Sequence, residues 1–330
     1  MFHSHFLGSN KHGISKLMTG FLLLLLWLRV MQAQDLARPK FLHCNESRPD
    51  YVSCKMCSAR GMPSTDRGSN KGRSHLRSLA NATNLQKTFS SIYAKGIWGG
   101  VEDGGGSGSG SREACAVTAR EVLRLVLFKY NLLSLLDAPC GGVYSSWMRL
   151  TLFKMRADLP CFTYFGVDAA EIVIRHNSVA LKQYNDWISF ATVDLSAPPP
   201  SWIQPGSYDL ILSRDALQHL SYEKIAGTLS TYCSPAVGAK FLLVGSYLSG
   251  AGNKPITVGD VFEINLLEAP FSFPKPLEIF HESTCYTDTP VPVKAPLKSL
   301  LLYSLPALCT SSPYQKFLAE FHRQSGAVTA

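Results

Sequence analysis

Four apolar runs between residues 132 and 215 each end on or beside an aspartate. "LLSLLDA" closes at Asp137, "CFTYFGVD" on Asp168, "WISFATVDL" near Asp194 and "YDLILSRD" near Asp215. Between and after them, "SSWMRLTLFKM", "AAEIVIRHNSVALKQY" and "SYEKIAGTLSTYC" carry helical spacing, and "AKFLLVGSYL" reads as a fifth strand. Strands alternating with helices at this spacing predict an α/β fold, with a mostly parallel sheet and helices on both faces. "PLEIFHES" and "PLKSLLLYSL" add two strands, a closing antiparallel hairpin at the C-terminal end. Sheets of this kind bind ligands beyond the C-terminal ends of their strands, where the strand order reverses. Aspartate is also a common turn former, so one acid there would mean little. Four at successive strand ends point to a ligand.

The end of the first strand narrows the ligand. "DAPCGG" joins one acid to a glycine-rich turn, and glycine lets a backbone approach a ligand closely. No G-x-G-x-x-G follows, so the turn is a poor pyrophosphate cradle. Asp168 lies 31 residues after Asp137, at the end of the second strand, where a carboxylate can accept hydrogen bonds from two ribose hydroxyls. Asp194, ending the third strand, could reach an adenine amino group. Together these suit an adenosine ligand without a pyrophosphate.

The pattern resembles the class I S-adenosylmethionine-dependent methyltransferases, on "LLDAPCGG", "YFGVDAAEIVIRHN", "FATVDL" and "YDLILSRDALQHLS". It is similar in more detail to a bacterial-type subgroup. The shared segments are "IWGG" with a following "GSGSGS" loop, "LDAPCGG", "SRDALQHL" and "APFSFPKPLEIFHES", and the resemblance covers about residues 89–303. It implies a Rossmann-like methyltransferase fold with S-adenosyl-L-methionine as cofactor. It further implies that Asp137 and the Cys140–Gly141–Gly142 backbone face the methionine part of the cofactor. Asp168 would hold the ribose, and Asp194 with Leu195 the adenine. Trp98 and residues 104–111 would form a lid, and Ser213, Arg214, Asp215 and His219 would stand beside the sulfonium. One position departs from the subgroup: an acid usually follows the D-A-P-C-G turn, and this chain has Gly142.

Asp215 and His219 are four apart, so on a helical turn they share a face. A base in reach of an acceptor hydroxyl would assist O-methylation by about 10²–10⁴-fold. On this reading Arg214, Asp215 and His219 are the catalytic set, and Asp215 raises the His219 pKa by favouring the imidazolium. The competing reading has Asp215 capping the next helix and bracing His219. Ser111 is read as the N-cap of a helix opening at Arg112. A non-catalytic module that keeps the fold is the alternative prompted by Gly142. A nicotinamide oxidoreductase is disfavoured by the missing glycines.

The N-terminal part has a different character. Lys11 and Lys16 precede an apolar run from Leu17 to Leu28, and Ala33 offers a small residue for cleavage. Residues 1–34 therefore read as a secretory signal, or as a short type II membrane anchor over 17–33 with Arg29 snorkelling. The continuous leucine run argues against an amphipathic mitochondrial presequence, although no acid precedes Asp35. Residues 35–88 read as a basic linker or stem, and 89–330 as the methyltransferase domain. Residues 35–95 hold eleven Lys and Arg against four acids, in a Ser/Asn/Gly-rich setting without interleaved aromatics. That is a solvated linker rather than a nucleic-acid surface. Asn45 ("NES") and Asn81 ("NAT") are glycosylation acceptor patterns that agree with the leader. Cys54 and Cys57 form a C-x-x-C without a second ligand pair, so a local disulfide is preferred to a metal site. The expected acceptor is a hydroxyl on a glycan or small molecule in the secretory pathway.

Overall fold

The computed structural model describes residues 82–100, 106–198, 208–249, 252–282 and 297–321. Its centre is a seven-stranded sheet of β1 (Ser134–Asp137), β2 (Thr163–Asp168), β3 (Ile188–Thr192), β4 (Leu210–Ser213), β5 (Phe241–Tyr247), β6 (Glu278–His281) and β7 (Lys298–Ser304). The order is β3-β2-β1-β4-β5-β7-β6. The first five strands pair in parallel, and β7 runs antiparallel between β5 and β6. This is the mostly parallel sheet with an antiparallel C-terminal hairpin that the sequence predicts. The order reverses between β1 and β4, so the crevice lies beyond their C-terminal ends.

Alternation along each strand divides the core. Leu135, Leu210, Leu212, Leu243, Leu300 and Leu302 pack on one face, against α2 (Val117–Lys129) and α3 (Trp147–Asp158). Leu136, Ile211, Leu242, Val244 and Leu301 turn to the other. There they meet α5 (Tyr222–Tyr232), α6 (Leu305–Thr310) and α7 (Ser312–Phe321). Neighbouring residues on a strand point to opposite faces, so a strand with helices on both sides reads as a continuous apolar run. A disulfide joins Cys233, after α5, to Cys309 in α6, 76 residues apart. A further helix, α4 (Glu171–Ala180), follows β2 and packs on β2 and β3.

Two boundaries differ from expectation. Helix α1 (Asn84–Ala94) opens five residues before residue 89, inside the segment whose composition reads as linker. Thr83 caps it in a full capping box with Gln86, and Leu85 and Ile92 are buried. Polar residues around those apolar positions mask the period. Ser111 does not cap a helix that opens at Arg112. Residues 109–111 and 113–115 are short 3₁₀ turns, and α2 starts at Val117 after Ala116, with no side-chain cap. The glycines let the loop fold back over the sheet before the helix begins. Among the described residues no helix is long and apolar enough to cross a membrane. The leader, the C-x-x-C and both sequon asparagines lie outside the described residues.

Candidate functional site

A cavity of about 490 Å³ opens at the reversal point, with Asp137, Gly141, Asp168, Arg214, Asp215 and His219 among its lining residues. That volume lies in the range of small-molecule sites, about 300–1,000 Å³. Trp98, Cys140 and Leu195 also line it. Gly142, Asp194 and Ser213 are not among the residues that line it. The Gly142 amide donates to Ser107 Oγ at 3.0 Å. Ser213 shares a buried hydrogen bond with Tyr232. Asp194 Oδ2 accepts from the Thr83 hydroxyl at 2.6 Å, and its Oδ1 takes both the amide and the hydroxyl of Ser196. The carboxylate expected near an adenine therefore pins the start of α1 to the sheet.

The carboxylates of Asp137 and Asp168 are buried. Asp168 accepts from the Gly141 amide at 3.0 Å and the Ala170 amide at 2.8 Å, so both its oxygens stabilise the turns around it. Burial pushes its carboxyl up to about 6 despite those bonds. Asp137 accepts from the Tyr164 hydroxyl at 2.7 Å. Burial raises it to about 7, with Tyr164 pulling the other way. Two carboxyls held above their usual range mark a place where a cation would be stabilised. Between them, burial pushes the Cys140 thiol well up, and both carboxylates add to the shift. Gly141 sits at φ +58°, and a Cβ there would stand 2.5 Å from Ser107 Oγ. Only glycine suits this turn under that hydroxyl.

The loop before α2 lies over the turn. Ser107 Oγ also bonds the Tyr93 hydroxyl at 3.0 Å. The carbonyl of Gly110 accepts from Arg214 at 3.1 Å. Trp98 packs against Phe89, Tyr93 and His219, with the His219 ring centroid 4.6 Å away. Helix α1 and residues 106–111 thus form one wall.

The opposite wall corrects the expected Asp215–His219 pair. Asp215 has φ +53°, and residues 217–219 form a 3₁₀ turn, so the two do not share an α-helical face. Asp215 Oδ2 is 2.6 Å from Lys298 Nζ and 3.1 Å from an Arg214 nitrogen. Burial alone would raise its carboxyl, but Arg214 and Lys298 overcome this and hold it at about 2. It is too weak a base to take a hydroxyl proton, and it caps neither the turn at 217–219 nor α5. Arg214 in turn grips Glu282 through two nitrogens, at 2.7–3.1 Å. His219 also departs from expectation: burial lowers its pKa below 6.5, outweighing the Asp260 carbonyl and Asp215, which raise it. Its Nδ1 donates to the Asp260 carbonyl at 2.9 Å. The neutral ring in that tautomer keeps a lone pair on Nε2.

Tyr93, Tyr247 and Lys298 line the cavity without having been singled out from sequence, and Ser107 and Gln218, which also line it, were read only as part of the 104–111 loop and the "SRDALQHL" segment. Lys298 carried a readable signal, a cation opening the apolar run "SLLLYSL". Ser107 had no signal of its own within the 104–111 lid segment, being one serine among several in a Gly/Ser run. Glu282 and His281 separate: Glu282 is buried on Arg214, whereas His281 bonds Ser299 away from the cavity.

No protein-family model matches the chain, and no curated protein matches it in sequence. Similar solved structures include the methyltransferase domain of a bacterial CtHen1, at 16% identity, TM-score 0.33, over 39% of this chain and 65% of that one. A 1,6-didemethyltoxoflavin-N1-methyltransferase from Burkholderia thailandensis, with bound S-adenosylhomocysteine, matches at 14% identity and TM-score 0.44, over 66% of this chain and 85% of that one. TehB from Haemophilus influenzae matches at 19% identity and TM-score 0.38, over 55% of this chain and 60% of that one.

Proposed function

We propose that the protein is an S-adenosyl-L-methionine-dependent O-methyltransferase. The observation that carries the reading is the cavity at the reversal point, floored by Asp137 and Asp168 with both carboxyls raised by burial. The cofactor is a cation at its sulfur and its amino group, and a wall of buried carboxyls fits that charge. When bound, it supplies a methyl group on a positively charged sulfur. Asp137 and the Cys140–Gly141 backbone hold the charged end, and Asp168 fixes the turn through Gly141. His219 Nε2 takes the acceptor proton as its oxygen is methylated. Arg214 orients the wall by binding Glu282, Asp215 and the Gly110 carbonyl at once. Trp98, Tyr93 and the 106–111 segment exclude water from the same space.

A secretory-pathway location completes the reading. It is supported by the leader, by the sequons Asn45 and Asn81, and by the Cys233–Cys309 disulfide. Endoglycosidase treatment should then shift the expressed protein's mass, and Asn45→Gln with Asn81→Gln should remove the shift.

Calorimetry with S-adenosylmethionine, S-adenosylhomocysteine and NAD tests the cofactor. The first two should bind and the third should not; the reverse pattern would move the chain to the oxidoreductases. Label transfer from the cofactor to fractionated secretory-pathway extract then separates an enzyme from a non-catalytic module.

A further inference from the structure

One hydroxyl joins two parts of the cavity wall. The turn at 140–142 has three backbone amides. Cys140 donates to the Val167 carbonyl at 2.8 Å and Gly141 to Asp168 at 3.0 Å, both in β2. The third, Gly142, donates instead to Ser107 Oγ at 3.0 Å, in the segment before α2. The same peptide is held at its other polar end, where the Gly141 carbonyl accepts from Asn177 Nδ2 at 2.8 Å. Asn177 lies in α4 and is fully buried. The 141–142 peptide is thus gripped between α4 and Ser107.

Ser107 Oγ has a second partner, the Tyr93 hydroxyl of α1, at 3.0 Å. A serine hydroxyl carries one proton and two lone pairs, so it can serve both. Burial, and then the Asp168 charge, push the Tyr93 phenol well up, so this partner stays a neutral hydroxyl. The local sequence explains how one serine reaches the turn. Gly106 and Gly108 on either side stand at φ +79° and +86°, where other residues are strained. They turn Ser107 onto Gly141, whose missing side chain leaves room for Oγ. The far end of the segment is anchored elsewhere, through the Gly110 carbonyl on Arg214. Tyr93, Ser107, Cys140, Gly141 and Asp168 all line the cavity, so the link at Ser107 lies on the boundary of the space a ligand fills.

We infer that Ser107 is a positioning residue for the cofactor: its hydroxyl locks the 106–111 segment and α1 onto the 140–142 turn, and that lock sets how long the cofactor stays bound. This rests on the methyltransferase reading and adds to it what retains the cofactor. Ser107 takes no part in the transfer itself. A cofactor that leaves past the segment first parts it from the turn, which breaks both hydrogen bonds. Removing the hydroxyl deprives the Gly142 amide and the Tyr93 phenol of their shared partner, and the loss falls on the off-rate.

The test follows release of labelled S-adenosylhomocysteine from the full chain during a chase with excess unlabelled compound. Ser107→Ala should raise the off-rate about tenfold or more, each lost hydrogen bond contributing a factor of several. Tyr93→Phe keeps the ring and removes one bond, and should raise it about three- to fivefold. The double variant should release within about twofold of Ser107→Ala alone, because the serine is the shared partner. Ser107→Thr keeps the hydroxyl and should stay within about threefold of wild type. If Ser107→Ala does not fold, the isosteric Tyr93→Phe carries the test, and an unchanged off-rate there counts against the inference. A Ser107→Ala off-rate equal to wild type, additive effects of the two substitutions, or a Ser107→Thr protein as fast as Ser107→Ala would each overturn it. Binding by the wild-type protein judges the methyltransferase reading separately: binding with any of those outcomes sinks the Ser107 assignment alone, and no binding sinks both.

Discussion

Replacing Asp137 with asparagine removes one ionisable group and keeps its shape. In the unfolded chain this carboxyl loses its proton near 3.8, whereas in the fold burial delays that to about 7. Between those values the fold holds a proton that the unfolded chain has lost. Ligand-free stability therefore falls as pH rises through the window. A shift of about three units is worth about 4 kcal/mol at most. Asp168, raised to about 6, acts in the same direction over the lower part of the range. A bound cation reverses the preference by favouring the ionised form. Affinity for S-adenosylmethionine should then climb about tenfold per unit below pH 7 and level off above it. The Asp137→Asn protein should be more stable than wild type at about pH 8, yet bind the cofactor at least about tenfold more weakly there. Its remaining pH dependence should be the shallower one of Asp168 and His219. Calorimetric titration of both proteins from about pH 5.5 to 8, beside urea melts without ligand, reads both quantities. S-adenosylhomocysteine, with a neutral sulfur, should show a smaller slope than S-adenosylmethionine. A flat wild-type profile, or an asparagine variant binding as tightly as wild type at the alkaline end, would refute the charge argument.

Changing Cys233 and Cys309 together to serine should cost about 2–4 kcal/mol in non-reducing urea melts, below the roughly 4.5 kcal/mol ceiling for a loop this long. Glu282→Ala leaves the buried Arg214 guanidinium with fewer partners and should cost about 3–5 kcal/mol, read as a drop in Tm. Glu282→Gln, which keeps an acceptor, should lose less. His219→Ala should lower the single-turnover rate by about 10²–10⁴-fold with cofactor affinity near wild type. With the wild-type pKa lowered by burial, its rate should be flat at neutral pH and fall only below 6.5, where the ring protonates. A rate still rising through neutral pH would identify another base.

The sheet was legible because its strands are buried on both faces and punctuated by aspartates. Residues 134–137 and 210–213 are buried throughout, and the sequence shows adjacent apolar residues in each, Leu135–Leu136 and Leu210–Leu212. The cavity was half legible. Asp137, Asp168 and His219 follow from strand ends and a short motif. The partners of Asp215 and Arg214 do not, because Lys298 reaches Asp215 from 83 positions further along the chain and Glu282 reaches Arg214 from 68, as a consequence of β7 inserting beside β5. No local pattern encodes such a contact. The His219 pKa was misjudged for the same reason. The spacing to Asp215 is visible in sequence, whereas the burial and the Asp260 carbonyl that decide the sign come from packing. Helix α1 was hidden by its polar composition, although its capping box, Thr83 to Gln86, was there to be read.

The position of β7 also sets an order of assembly. The ribosome makes β1 to β4, the turn at 138–142 and His219 first, so the floor of the cavity exists in a chain that stops near residue 235. Arg214 and Asp215 are in that chain too, but β5, Glu282 and Lys298 are not. A nascent chain at that stage holds a guanidinium and a carboxylate whose burial is compensated only later. The last strand of the sheet to be synthesised is an interior one, and it brings Lys298 to the wall, with Cys309 following as the bond partner of Cys233. Truncation from the C-terminus therefore removes Glu282, Lys298 and the Cys233–Cys309 bond together while sparing Asp137, Asp168 and His219.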